Sequence, residues 1–240
     1  MTGRPLAVLG YHRIGPPPPG GWETWFFVPA ETFEAQLRTL REEGWTPIDA
    51  DLLLAGLEDP ERLPERPALV TFDDGYRSLI DHALPVLERQ EVPAVSFVPT
   101  DHVGGPNAFD PWEPTEAICD WDDLRALERS GVVVESHAAS HRSFSELSLH
   151  EQTDEARRSK AAIETELGKA ARLLAYPFGD PGLVPDVLSG LGYKAAFVYP
   201  GEIAKLPVED RFRIERVAMG PDTDLVGLLQ GGVASPGTTR

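Results

Sequence analysis

Short apolar runs alternate with stretches of helical periodicity along most of the chain. Leu6–Tyr11 is an apolar run of strand character. Phe33, Leu37 and Leu40 recur at i, i+4 and i+7, which predicts a helix ending near Gly44. Trp45–Asp49 reads as a short strand and Leu52–Leu57 as a short helix. A charged, proline-rich stretch, Glu58–Pro67, separates these from a second series. There Ala68–Phe72 is a strand, Ser78–Gln90 a helix kinked at Pro85, and Pro93–Val98 a strand. Asp101–Asp120 is a long loop rich in glycine, proline and aromatic residues. Trp121–Ser130 reads as a helix and Val132–Glu135 as a strand. Ser148 and Glu151 form an S-x-x-E capping box, and Leu149, Ala156, Ile163 and Leu167 carry the following helix to Gly168. Arg172–Tyr176, Tyr193–Val198 and Arg213–Val217 read as strands, with helices over Val184–Leu191 and Asp224–Leu229.

Strand–helix alternation over the whole length predicts an α/β fold with a parallel sheet. Seven or eight such units suit a barrel in a single domain, and an open sheet is the alternative. The domain is expected over residues 1–230, with 231–240 as a loose tail. In either fold, functional residues gather at the C-terminal ends of the strands. That rule picks out His12 after Tyr11, Asp73 and Asp74 after Phe72, and His137 after Ser136, with His141 four residues on. It also picks out the turn Pro177–Phe178–Gly179 after Tyr176.

Two adjacent carboxylates at the end of a buried strand repel each other and resist desolvation. Taken alone, "DDG" fits a turn cap, and H-x-x-x-H fits two surface histidines. Taken together at two different strand ends, two imidazoles and a carboxylate make a common three-ligand set for a catalytic divalent metal. In a helical turn the rings of His137 and His141 would share one side. The second carboxylate is then free to act on a metal-bound water.

Charge narrows the partners. The 240-residue chain carries a formal net charge of −17, which disfavours nucleic acid and anionic membrane surfaces. The sole cysteine, Cys119, leaves no internal disulfide. No apolar run approaches the roughly 18 residues of a membrane span. The N-terminal stretch lacks a full signal-type apolar region, so a cytoplasmic location is expected, and a trimmed chain would allow an extracytoplasmic one.

The segments "YHRIG", "TFDDGY", "VPAVSFVPT", "SHAASH" and "LAYPFGD" follow one another in an order and spacing that resembles the polysaccharide deacetylase superfamily, carbohydrate esterase family 4. The "AYPFG" variant is similar to its poly-N-acetylglucosamine deacetylase subgroup. The resemblance implies a distorted (β/α)7-type barrel and metal-dependent hydrolysis of acetyl groups on N-acetylated amino sugars or their polymers. It implies Asp73 as general base and Asp74, His137 and His141 as metal ligands. It further implies the Phe178 backbone N–H as oxyanion donor and Tyr176, Pro177 and Gly179 as groove wall. The metal would be Zn2+, with Co2+ or Ni2+ able to serve.

Three positions depart from the family pattern. Ala138 stands where a serine or threonine follows the first histidine, and Ala175 where an arginine precedes the proline. No histidine follows His150, so the usual late acid has no match, and His12 is the candidate in its place. His102 is a second candidate, while His82 and His150 fall on or near helices. Trp22 and Trp25 are candidates for lining a groove or covering the barrel mouth, Trp112 could stack on a sugar ring with loop packing the expectation, and Trp121 is expected in the core. Two other readings remain open: a hydrolase of a small non-sugar amide, and a carbohydrate-binding pseudoenzyme.

Overall fold

The computed structural model describes residues 3–17, 26–182, 185–199 and 201–231. Trp22, Trp25 and the tail lie outside them. The strands are β1 (Arg4–Tyr11), β2 (Arg13–Ile14), β3 (Phe27–Val28), β4 (Thr46–Pro47), β5 (Pro67–Phe72) and β6 (Ala94–Val98). They continue with β7 (Val132–Ser136), β8 (Leu173–Ala175), β9 (Ala195–Val198), β10 (Ala204–Leu206), β11 (Ile214–Glu215) and β12 (Val217–Ala218). The helices are α1 (Ala30–Glu42), α2 (Ala50–Glu58), α3 (Leu84–Gln90), α4 (Trp121–Arg129), α5 (Leu149–Leu167), α6 (Pro185–Gly190) and α7 (Leu225–Leu229).

The main sheet runs β10-β1-β5-β6-β7-β8-β9-β11, and β12 lies beside β1. Every pairing is parallel except β10 against β1. The segment 214–218 therefore pairs with β9 at its start and with β1 at its end. This nearly closes a single barrel of the predicted (β/α)7 type.

Side-chain parity builds two cores from one sheet. Leu6 and Val8, Leu69, Val95 and Phe97, Leu173 and Ala175, Ala195 and Phe197, and Ile214 form one cluster. The alternate residues Ala7, Leu9 and Tyr11, and Ala68, Val70 and Phe72, pack with Phe33, Leu37, Leu40 and Leu127 of the surrounding helices. The first cluster is the barrel interior and the second is the layer between sheet and helices. Among the described residues no helix is long and apolar enough to cross a membrane.

Several expectations shift. A π-helical turn, Leu79–Ala83, precedes α3, and Pro85 sits within the first two positions of α3. Proline has no N–H to offer the preceding turn, so the break falls just before it. The last predicted strand is split into β11 and β12 around Arg216, because its two halves bond to different neighbours. Trp121 packs against the core as expected. Trp112, expected to pack within its loop, is 90% exposed.

Candidate active site

The inward parity continues past the apolar layers to the barrel mouth. On β1 it passes from Leu6 and Val8 through Gly10 to His12. On β5 it passes from Leu69 through Thr71 to Asp73; beyond β9 it reaches Tyr199, and after Ile214 it reaches Arg216. The inner column thus changes from apolar to polar at the C-terminal ends of the strands, where sequence reasoning placed the site.

Asp74 and Gly75 form the turn after β5, both left-handed, with φ of 69° and 68°. Aspartate tolerates that region and glycine enters it freely. A Cβ on Gly75 would also sit 2.7 Å from Val98 Cγ1. This turn sends the two adjacent carboxylates to different partners. Asp74 Oδ1 lies 3.5 Å from His137 Nε2 and 3.1 Å from His141 Nε2. All three residues are buried, and one ligand atom from each lies within 4.8 Å of the others.

The imidazoles do not share a helical turn, contrary to the expectation from their spacing. Residues 137–141 are an irregular loop in which Ala138 and His141 are left-handed, at φ 61° and 60°. The convergence of the two rings is built by that backbone. His137 Nδ1 donates to Ala175 O at 2.8 Å, which leaves the Nε2 lone pair facing Asp74. Asp74 Oδ1 and His141 Nδ1 are buried without hydrogen-bond partners. The two Asp74–histidine separations, 3.5 and 3.1 Å, are near the roughly 3.3 Å expected between neighbours around a tetrahedral zinc. The donor set fits a divalent metal.

Asp73 has a different environment. Arg216, fully buried, donates Nη1 to Oδ1 and Nη2 to Oδ2, both at 2.7 Å. Its Nη1 also reaches Thr71 Oγ1 at 3.2 Å. Burial alone would raise the Asp73 carboxyl, but the Arg216 charge holds it below the ordinary range. The Arg216 guanidinium stacks 3.9 Å from the Tyr199 ring centre. Tyr199 itself lies between two glycines, because a Cβ on Gly10 would come within 1.4 Å of its hydroxyl and one on Gly179 within 2.4 Å of its Cβ. Sequence reasoning missed both residues. The usable signal was parity: Arg216 shares the face of Ile214, and Tyr199 that of Phe197.

His12 Nε2 stands 4.0 Å from Asp73 Oδ2, with Phe26 edge-on at 4.7 Å. Burial lowers its pKa more than the two aspartates raise it. Tyr176 is buried, its hydroxyl donating to Phe212 O at 3.0 Å. Pro177 and Gly179 are buried too, whereas Phe178 is 61% exposed at φ 58°, its ring 4.9 Å from that of His141. On the other side the Phe109 ring lies 4.2 Å from His141. The next residue, Asp110, has its carboxyl raised to about 6 by burial and by Asp74. His102 packs on Phe109, and its Nε2 is 3.3 Å from Ser140 O. His82 lies away from this cluster, lining a separate cavity of about 260 Å³ with Arg13 and Glu116.

Burial pushes the His137 imidazole down to about 4, against about 6.5 in an unfolded chain. The unfolded state therefore takes up this proton first as pH falls. The metal-free protein is expected to lose stability between about pH 6.5 and about pH 4. Asp73 and Asp74, both held low, add a further loss as pH falls below about 4. Melting temperatures measured with a chelator check this, and a flat profile from neutral to about pH 4 would contradict a neutral buried His137.

The family model for polysaccharide deacetylases matches residues 61–196, which include both the aspartates and the histidines. The chain belongs to the polysaccharide deacetylase family. It is 26% identical over 178 residues to the poly-β-1,6-N-acetyl-D-glucosamine N-deacetylase of Staphylococcus epidermidis, covering 67% of this chain and 57% of that one. The Escherichia coli K12 protein of the same name is 24% identical over 231 residues, covering 81% of this chain and 34% of that one. This polysaccharide deacetylase chain thus spans little more than half, or about a third, of those relatives. Among solved structures it is similar to IcaB from Ammonifex degensii, with a TM-score of 0.79 at 27% identity, covering 95% and 97% of the two chains. It also shares its fold with the Streptococcus pyogenes deacetylase PplD, with a TM-score of 0.82 at 21% identity, covering 95% and 98%.

Proposed function

We propose that the protein is a metal-dependent N-deacetylase acting on N-acetylglucosamine units of a polymer. The observation that carries this reading is the buried Asp74–His137–His141 set beside a second carboxylate, Asp73, held by its own arginine. The names of the relatives support this substrate class. A bound Zn2+, with Co2+ or Ni2+ as alternatives, would lower the pKa of a coordinated water and polarise the acetyl carbonyl.

The chain's own residues do the rest. Asp73 takes one proton from the attacking water while that oxygen bonds to the acetyl carbon. The Phe178 N–H is assigned to the carbonyl oxygen as it gains charge. The C–N bond breaks, the amine nitrogen takes a proton, and acetate leaves. His12 is assigned that proton delivery; its Nε2 stands 4.0 Å from Asp73 Oδ2, so the proton from Asp73 would reach it through one water or after a closer approach. The lowered pKa of His12 favours a second route, in which Asp73 returns the proton itself. Tyr176, Pro177 and Gly179 are assigned to the groove wall as the turn that presents Phe178. The exposed ring of Phe178 is placed to meet a sugar face.

The test is acetate release from β-1,6-linked N-acetylglucosamine oligomers, with zinc added or chelated. Release is expected with zinc and not without it. A metal-loaded protein that frees no acetate from any acetylated sugar would overturn the reading. In the same assay, a loss of less than about tenfold in His12→Ala assigns the acid role to Asp73.

A further inference from the structure

The loop between the two histidines hangs on a carboxylate from the neighbouring helix. Glu155 of α5 has a side chain only 8% exposed. Its Oε2 accepts from the Ala139 N–H at 3.0 Å and the Ser140 N–H at 2.7 Å. Its Oε1 accepts from Ser140 Oγ at 2.8 Å. One turn further along α5, Ser159 Oγ meets Ser136 Oγ at 2.8 Å, and Ser136 Oγ accepts from the Ala138 N–H at 3.2 Å. The loop's carbonyls are taken from the other side. Thr100 N–H donates to Ala138 O at 3.3 Å and Asp101 N–H to Ala139 O at 2.8 Å. Arg158 ties the two sides together, donating to Asp101 at 2.6–2.7 Å and lying 3.7 Å from Glu155.

This loop needs external support. Ala138 and His141, neither of them glycine, both lie in the left-handed region, which is unfavourable without compensating contacts. Ala138 offers no side-chain donor or acceptor of its own. Yet the loop must hold His141 Nε2 within 3.1 Å of Asp74 Oδ1 while His137 is fixed by Ala175 O. We infer that Glu155 is the positioning residue of the metal centre. By binding two successive backbone N–H groups between the histidines, it fixes the loop conformation that brings the two imidazoles together. Metal affinity is therefore set in part from α5, by a residue that touches neither metal nor substrate.

The inference rests on the metal reading of Asp74, His137 and His141, and the experiment separates the two. Zinc dissociation constants are measured on the stripped full-length chain by competition with a chromophoric chelator. Circular dichroism shows that each variant is folded at the temperature used. Glu155→Met removes both carboxylate acceptors at a similar side-chain length and is expected to weaken zinc binding by about 10- to 100-fold. Ser140→Ala removes one of the three bonds with no change of charge and is expected to weaken it about threefold. The Co2+ absorption spectrum of Glu155→Met is expected to differ from wild type, a change that loss of a distant charge alone would not produce. A folded Glu155→Met with wild-type affinity and spectrum would overturn the inference. Should Glu155→Met not fold, wild-type affinity in Ser140→Ala would overturn it. A wild-type chain that takes up no zinc defeats the metal reading instead.

Discussion

Replacing Asp73 by asparagine is expected to cut acetate release by about 10²–10⁴-fold in the zinc-loaded protein. The amide cannot take the proton of the attacking water, and it also leaves Arg216 buried without its counter-charge. Because Arg216 holds Asp73 below the ordinary carboxylate range, the base is ionised throughout the neutral range rather than tuned near pH 7. Zinc content is expected to stay at the wild-type level, because Asp74 and the two histidines are untouched. Steady-state acetate release with parallel metal analysis checks both statements. Activity within tenfold of wild type would remove Asp73 from the base role.

Arg216→Met carries the second large effect. It strands the Asp73 carboxylate in the barrel interior, a loss of about 3–5 kcal/mol for breaking a buried pair from one side. For a chain of this size that lowers the melting midpoint by on the order of 10 °C. The double variant Asp73→Asn/Arg216→Met removes both charges and is expected to recover much of that loss, so the two single effects do not add. Thermal melts of the two singles and the double measure the coupling. Strict additivity would show that the two side chains do not act as a unit. Deacetylation is expected to fall in Arg216→Met as well, since an unclamped Asp73 loses its bidentate orientation.

The elements that place the metal set were legible because each is a continuous run with one environment. β5 is buried along its whole length, so its apolar stretch and the polar break at Asp73 mark its end plainly. The capping box of α5 forms as the S-x-x-E spacing predicts, with Ser148 and Glu151 bonding reciprocally. The conformation of the histidine loop was not legible. An i, i+4 spacing fits a helical turn, but here the backbone bonds go to Glu155 and the Thr100–Asp101 turn instead. Arg216 was hidden for a related reason. "RIERV" reads as one strand, whereas its first half pairs with β9 and its second with β1 at the start of the chain, and no local pattern records that division. Ala175, at the end of β8, marked the absence of an arginine, but nothing nearby pointed to a guanidinium arriving from between β11 and β12.

The seam at 214–218 ties the order of folding to chemical competence. Leu9 pairs with Val217 across nearly the full chain, and the Asp73–Arg216 contact spans 143 residues. Contacts of such separation pay their loop-closure entropy before they return any stabilisation. The same few residues that shut the barrel also bring the counter-charge to Asp73. Asp74, His137 and His141 all lie before residue 142, so a chain still emerging from the ribosome carries the whole proposed metal set before Arg216. On the proposed reading, the guanidinium that orients the base is the last part of the centre to arrive.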